Sequence, residues 1–263
     1  MKRIMMIVAY DGTSYCGWQI QPNGVTVEEI LNCHLRDLLR EPVAVIGASR
    51  TDSGVHALGN VAVFDSQTQI PGEKISYALN QRLPKDIVIQ YSREVPQDFH
   101  PRFCNSTKTY QYKILNSRFP LPTQRLYSHF VYYPLQTEDM SQAAEFLVGE
   151  HDFKSFCSTR TQVTDTVRRI YGINVDRIGE MITITISGNG FLYNMVRIIV
   201  GTLIKVGFGV YPPVHVKEIL EKKDRIAAGP KAPAQGLTLL NIEYPDFHVP
   251  FVAAGGSHAA KCE

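Results

Sequence analysis

The chain has 263 residues, of which 44% are hydrophobic and 20% charged, with a formal net charge of +2 at pH 7. This balance excludes disordered and fibrous classes and leaves one large packed domain or two modest ones. So mild a positive charge permits nucleic-acid binding without demanding it.

Met1-Lys2-Arg3 and the apolar run Ile4 to Ala9 look at first like a signal peptide. They meet Tyr10-Asp11-Gly12 with no small-residue cleavage site, so the reading is an opening strand, Arg3 to Tyr10, closed by a turn at Asp11-Gly12-Thr13. Thr26 and Glu29 have capping-box spacing, and Val27, Ile30, Leu31, Leu35, Leu38 and Leu39 recur at helical intervals up to Pro42. Strands are expected at Val43 to Ile46, Gly59 to Asp65 and Ile87 to Tyr91, with a helix at about Glu73 to Leu83. The order β-α-β-β-α-β is that of a split βαβ unit.

The second half repeats this order more loosely. Tyr110, Tyr112 and Ile114 alternate along a strand; another is expected around Tyr127 to Tyr133, then a helix near Met140 to Val148. Strands at Arg168 to Val175 and Met181 to Ser187 precede an apolar helix from Phe191 to Val206, a shorter one near Val214 to Glu221 and a last strand from Leu237 to Tyr244. The apolar helix contains Asn194, Arg197, Thr202 and Lys205 and is too short to cross a bilayer, so it reads as buried and no membrane is expected. The fold class is therefore α+β, with two ferredoxin-like halves, residues 1–100 and 101–247, whose antiparallel sheets flank a cleft. The break falls between Val95 and Lys108, and residues 248–263, rich in Ala and Gly, read as a flexible tail. Five scattered cysteines, Cys16, Cys33, Cys104, Cys157 and Cys262, include no C-x-x-C pair and fit reduced thiols in a cytoplasmic protein better than a zinc or disulfide frame.

Chemistry concentrates first in ASRTDSGVHA, Ala48 to Ala57, where Asp52 lies between Arg50 and His56. Asp-Ser-Gly is also ordinary turn chemistry. Arg197 is the second signal: its helix is apolar all round, and a buried guanidinium without a partner costs several kcal/mol. It either meets a carboxylate, with Asp52 the leading candidate, or snorkels to the surface. A carboxylate paired with an arginine stays ionised and suits a nucleophile or charge stabiliser, as in glycosyl transfer through an oxocarbenium-like transition state. Ser53, Asp52 and His56 are too close in sequence to chain into a hydrolytic triad, and no nucleophile elbow is present; His56 reads as a structural residue or a phosphate contact. Tyr110 and Tyr112 share a face, as core or, for Tyr110, as a base-stacking platform. Lys108, Lys113, Arg118, Arg125, Arg160, Arg168, Arg169, Lys222, Lys223 and Arg225 could together track a phosphate backbone.

Eight stretches in order resemble the tRNA pseudouridine synthase A family: YDGTSYCGWQ (10–19), SRTDSGVHA (49–57), LNQRLPKDI (79–87), FHPRF (99–103), KTYQY (108–112), GNGFLYNMVR (188–197), VGTL (200–203) and KDRIAAGPKAPAQGL (223–237). Ser49, Ser53 and Pro101 depart from the usual family pattern. The resemblance implies isomerisation of uridine to pseudouridine in the anticodon stem-loop of tRNAs, around positions 38 to 40. It implies no cofactor, no metal, a deep basic cleft and a homodimer. By the same resemblance Asp52 is the catalytic aspartate, Arg50 holds or gates the flipped base, Tyr110 stacks on the uridine, and Arg197 pairs with the aspartate. The alternative is a non-catalytic RNA-binding protein with RNA-recognition-like halves, though the aromatic-rich signature of such modules is missing.

Overall fold

The computed structural model describes residues 1–159 and 164–245. Arg160, Cys262 and the tail from His248 lie outside the described residues. Strand β1 (Lys2–Tyr10) is buried from Ile4 onward, and its turn is capped by Asp11, whose carboxylate accepts the Thr13 N–H. Helix α1 (Val27–Leu39) starts at the expected box: the Thr26 hydroxyl accepts the Glu29 N–H at 3.3 Å. Its apolar stripe of Val27, Leu31 and Leu35 is buried.

Strand β2 is only Ile46–Gly47, shorter than the expected Val43 to Ile46. Upstream of it the Val45 N–H is taken by the side chain of Asn32 on α1, at 2.8 Å, so the chain there is tied to a helix instead of to a strand. Strand β3 (His56–Ser66) begins inside the Asp52 motif, and α2 (Gly72–Asn80) and β4 (Ile87–Val95) follow.

The second half runs β5 (Thr107–Asn116), a short β6 (His129–Val131), α3 (Thr137–Glu145) and β7 (Gly149–Asp152). The sequence Gly-Glu-His-Asp of β7 is polar throughout, which is why no strand is expected there. Next come β8 (Val167–Ile178), β9 (Met181–Gly188), α4 (Met195–Gly207), α5 (His215–Lys222) and β10 (Leu237–Glu243). Helix α4 starts later than Phe191 because Asn194 adopts the left-handed conformation at φ 61, which interrupts any helix upstream. Twelve of its thirteen residues are buried. No helix among the described residues is long and apolar enough to cross a membrane.

These elements build an α+β protein on one ten-stranded sheet of order β4-β1-β3-β10-β5-β9-β8-β7, with β2 added on β3 and β6 on β5. The last strand in sequence sits in its middle. Leu239 of β10 lies opposite Ala57 of β3, in parallel pairing, and opposite Tyr110 of β5, in antiparallel pairing. The end of the Asp52 loop and Tyr110 are thus fixed two strand spacings apart, about 10 Å. Tyr110, Tyr112 and Ile114 pair with Ile186, Ile184 and Ile182 across one face. All six are buried.

Residues 229–233 lie backbone to backbone on α4. The Ala232 N–H donates to Arg197 O at 3.0 Å, and the Gly229 N–H donates to Thr202 Oγ1 at 2.9 Å. A Cβ on Gly201 would stand 1.7 Å from Pro230 O. In an exposed helix alanine outranks glycine by about 1 kcal/mol; here the order reverses. Gly201→Ala is expected to lower stability by about 1–3 kcal/mol through overpacking, read as a lower urea midpoint with an unchanged slope. A midpoint equal to or above the parent's would contradict this packing.

Candidate active site

The loop between β2 and β3 is held at several of its backbone groups and at two of its hydroxyls. Asn60, fully buried on β3, accepts the Ser49 N–H at 3.2 Å and donates to Ser49 O at 3.0 Å. Thr51 O accepts from Trp18 N at 3.0 Å, and the Thr51 hydroxyl meets Tyr10 Oη at 2.7 Å. The Val55 N–H closes a turn on Asp52 O at 3.1 Å, and the Ser53 hydroxyl donates to Tyr15 O at 3.2 Å. Gly17, at φ +86, comes so close that a Cβ there would lie 2.6 Å from Thr51 O. The stretch YDGTSYCGWQ is therefore the cradle of the loop, a role its residue types do not announce.

His56 ties the loop to the second half. Its Nδ1 accepts the Gly12 N–H at 3.1 Å, so Nδ1 is bare and the proton sits on Nε2, which donates to Leu126 O at 3.0 Å. In this tautomer the 3.1 Å approach of Asp11 Oδ1 to Nδ1 is a contact and no ion pair. Of the two readings of His56, the structural one describes its surroundings.

This bracing leaves the Asp52 side chain facing a cavity of about 660 Å³. Arg197, in the first turn of α4, donates from Nη1 to Asp52 Oδ2 at 3.0 Å and to Asn194 Oδ1 at 3.1 Å, and from Nε to Ala232 O at 2.8 Å. Its side chain is 10% exposed and that of Asp52 21%. So the guanidinium does not snorkel: its bonds to Asn194 and Ala232 O hold it in place while Nη1 reaches Asp52 in the loop. Asp52 Oδ1 has no hydrogen-bond partner among the described residues and points its lone pairs at whatever enters.

Tyr110 lines the same cavity, with its hydroxyl 2.6 Å from Ser49 Oγ and its ring edge-on to Phe191 at 5.2 Å between centroids. Burial pushes its hydroxyl up to about 12, so it holds its proton at neutral pH and offers a ring and a donor, not a base. Tyr112, two residues on, is fully buried and donates to Pro233 O at 2.8 Å; it belongs to the core. Arg50 is exposed and lines the cavity as well. The four site residues picked out from sequence thus meet around one space. Ser49, Asn194, Phe191 and Arg102 also line it, and the sequence reading assigns none of them to the site. All four sit inside stretches quoted for the family resemblance, which was the available signal.

Among the described residues, five cations, Arg50, Arg102, Lys108, Arg168 and Arg197, line the cavity with one carboxylate, Asp52. Among the described residues no three His, Cys, Asp or Glu side chains gather as metal ligands. The arrangement offers a half-buried, oriented carboxylate beside an aromatic face and a surplus of positive charge. That suits stabilisation or capture of an electrophilic sugar or base carbon in an anionic polymer.

Residues 6–104 and 143–245 match the family model described as tRNA pseudouridine synthase. The chain is 48% identical over 244 residues to the tRNA pseudouridine synthase A of Thermoanaerobacter sp., covering 93% of this chain and 100% of that protein. It is 50% identical over 245 residues to the protein of the same name from Ruminiclostridium cellulolyticum and 47% identical over 244 residues to that from Brevibacillus brevis, with the same coverage in each case. Similarity at this level along nearly the whole length of each relative means that the chain belongs to the tRNA pseudouridine synthase family.

Proposed function

We propose that the chain isomerises uridine to pseudouridine in tRNA, in the anticodon stem-loop around positions 38 to 40, with Asp52 as the catalytic residue. The observation that carries this reading is the Asp52 carboxylate, gripped through one oxygen by Arg197 and open to the cavity through the other. The reaction breaks the C1′–N1 bond, turns the uracil and joins C1′ to C5; C5 loses a proton and N1 gains one, so atoms and electrons balance without a redox partner. Attack at C1′, addition to the ring and cleavage to a glycal-like species all need a carboxylate within reach of the sugar-base linkage.

The uridine has to leave its helical stack to reach Asp52, at a cost of a few kcal/mol that a stem-loop junction reduces. In this reading Tyr110 takes the face of the extruded base, Arg50 holds or gates it, and Arg197 keeps Asp52 aimed. Two ferredoxin-like halves, residues 1–100 and 101–247, flank the cleft that admits the RNA, and the enzyme works in the cytoplasm as a homodimer. The sheet order β4-β1-β3-β2 supports the first half, and the matching order β10-β5-β9-β8 supports the second. A non-catalytic RNA-binding protein would gain nothing from a carboxylate placed among phosphate-attracting cations.

Asp52→Ala is expected to abolish tritium release from tRNA labelled at uridine C5 while tRNA binding survives; an active alanine variant would refute the assignment. At Tyr110, Phe keeps the ring and loses the hydrogen bond with Ser49, worth roughly 1 kcal/mol. Ala loses the stacking face, worth about 1–3 kcal/mol. The kcat/KM of the Phe variant should therefore stay within about tenfold of the parent and that of Ala fall further. Equal losses would assign the function to the hydroxyl and reject the stacking role.

A further inference from the structure

Once Arg197 is taken by Asp52, the cavity retains cations without an evident purpose. Arg102 Nη2 donates to Gly47 O at 3.0 Å and Lys108 Nζ to Ala48 O at 3.0 Å, the two residues that lead into the Asp52 loop. Arg168 Nη1, on β8, donates to Asp165 O at 3.2 Å. Among the described residues the nearest carboxylate to any of the three is that of Asp165, 3.9 Å from Arg168 and itself 75% exposed. The fields of the three overlap: Arg102 and Arg168 both act on Lys108, and Arg50 acts on Arg102. Burial, then these two cations, pushes the Lys108 ammonium down to about 8.

Packing like charges into a half-buried wall opposes folding. Leaving each with spare donors points to an anion brought by a ligand. Two guanidinium forks whose charges both reach one ammonium match a tetrahedral phosphate, which accepts bidentate bonds from Arg and a point charge from Lys. Carbonyls 47 and 48 anchor two of the three cations, so the distance from this wall to Asp52 is set by only four residues of chain.

We propose that Arg102, Lys108 and Arg168 form a phosphodiester seat that takes the backbone phosphate beside the extruded nucleotide and thereby holds its sugar against Asp52. This rests on the tRNA reading above and adds positioning residues to it, since none of the three touches the reacting atoms.

The test measures affinity of unmodified tRNA for the full-length Asp52→Ala protein across a range of KCl concentrations, with and without Lys108→Met. Methionine keeps the packing of the stem and removes the charge. The expected result is about a tenfold loss of affinity and a slope of log K against log salt shallower by about 0.7–0.9, one phosphate contact. Arg168→Gln, at a more exposed position, should do the same and guards against misfolding of the lysine variant. A second arm uses sulfate alone as the probe, binding to the parent chain and to each variant. Parent binding should weaken above about pH 8 as Lys108 loses its proton, and Lys108→Met should bind weakly with no such step. The other groups facing the lysine keep their state there: Arg102, Arg168 and Arg50 stay charged and Tyr110, pushed up to about 12, stays protonated. Unchanged salt slopes in both variants, with tRNA still bound, would overturn the seat and leave the tRNA reading intact. Failure of the parent to bind tRNA would overturn that reading. Sulfate binding lost in Lys108→Met would then still support the anion seat, and sulfate binding retained would overturn it.

Discussion

A single ion pair joins residues 145 positions apart, and much of the molecule exists to hold it. Arg197 is buried in the most apolar helix of the chain and would be a heavy liability unpaired. Its three acceptors come from three places: Asp52 of the β2–β3 loop, Asn194 just before α4, and the carbonyl of Ala232. Two of these are uncharged, so even without Asp52 the guanidinium keeps part of its hydrogen bonding. The pair is therefore better understood as an aiming device than as a source of stability, in line with the small net worth of buried ion pairs.

Aiming requires that both ends be rigid. On the arginine side, α4 is clamped by residues 229–233 at a spacing that only glycine at 201 allows. On the aspartate side, Trp18 and Asn60 hold backbone groups of the loop, and Tyr10 and Tyr15 hold the hydroxyls of Thr51 and Ser53. Strand β10 then sets the relation between the loop and Tyr110, because Leu239 is the shared neighbour of Ala57 and Tyr110. A site split between distant segments gains its precision from a sheet that runs unbroken between them. The concentration of cations around one acid opposes folding, and this is the kind of local conflict expected where function overrides stability.

Local signals in the sequence were enough to place the helices and the longer strands. The capping box at Thr26 and the spacing of Leu31 and Leu35 define α1, and the alternation Tyr110-Tyr112-Ile114 defines β5 and its buried face. Arg197 was informative because a guanidinium in an apolar helix demands an explanation, and Asp52 because of its polar loop. Long-range pairing was not legible. Nothing in Leu237 to Glu243 says that this strand inserts between β3 and β5, and the polar run of β7 carries no alternation to read. Nor does YDGTSYCGWQ disclose that it braces a loop more than thirty residues away, since backbone hydrogen bonding depends on where the chain returns and not on which residues compose it.

In the proposed reaction Arg197 aims Asp52 at the substrate. The most direct measurement is the single-turnover rate of pseudouridine formation in tRNA by Arg197→Leu, alongside its thermal melt and its affinity for tRNA. A cavity in which the carboxylate has lost its grip predicts a rate lower by about a hundredfold or more, with tRNA still bound and a cooperative melt. Turnover at the parental rate in a folded variant would contradict it.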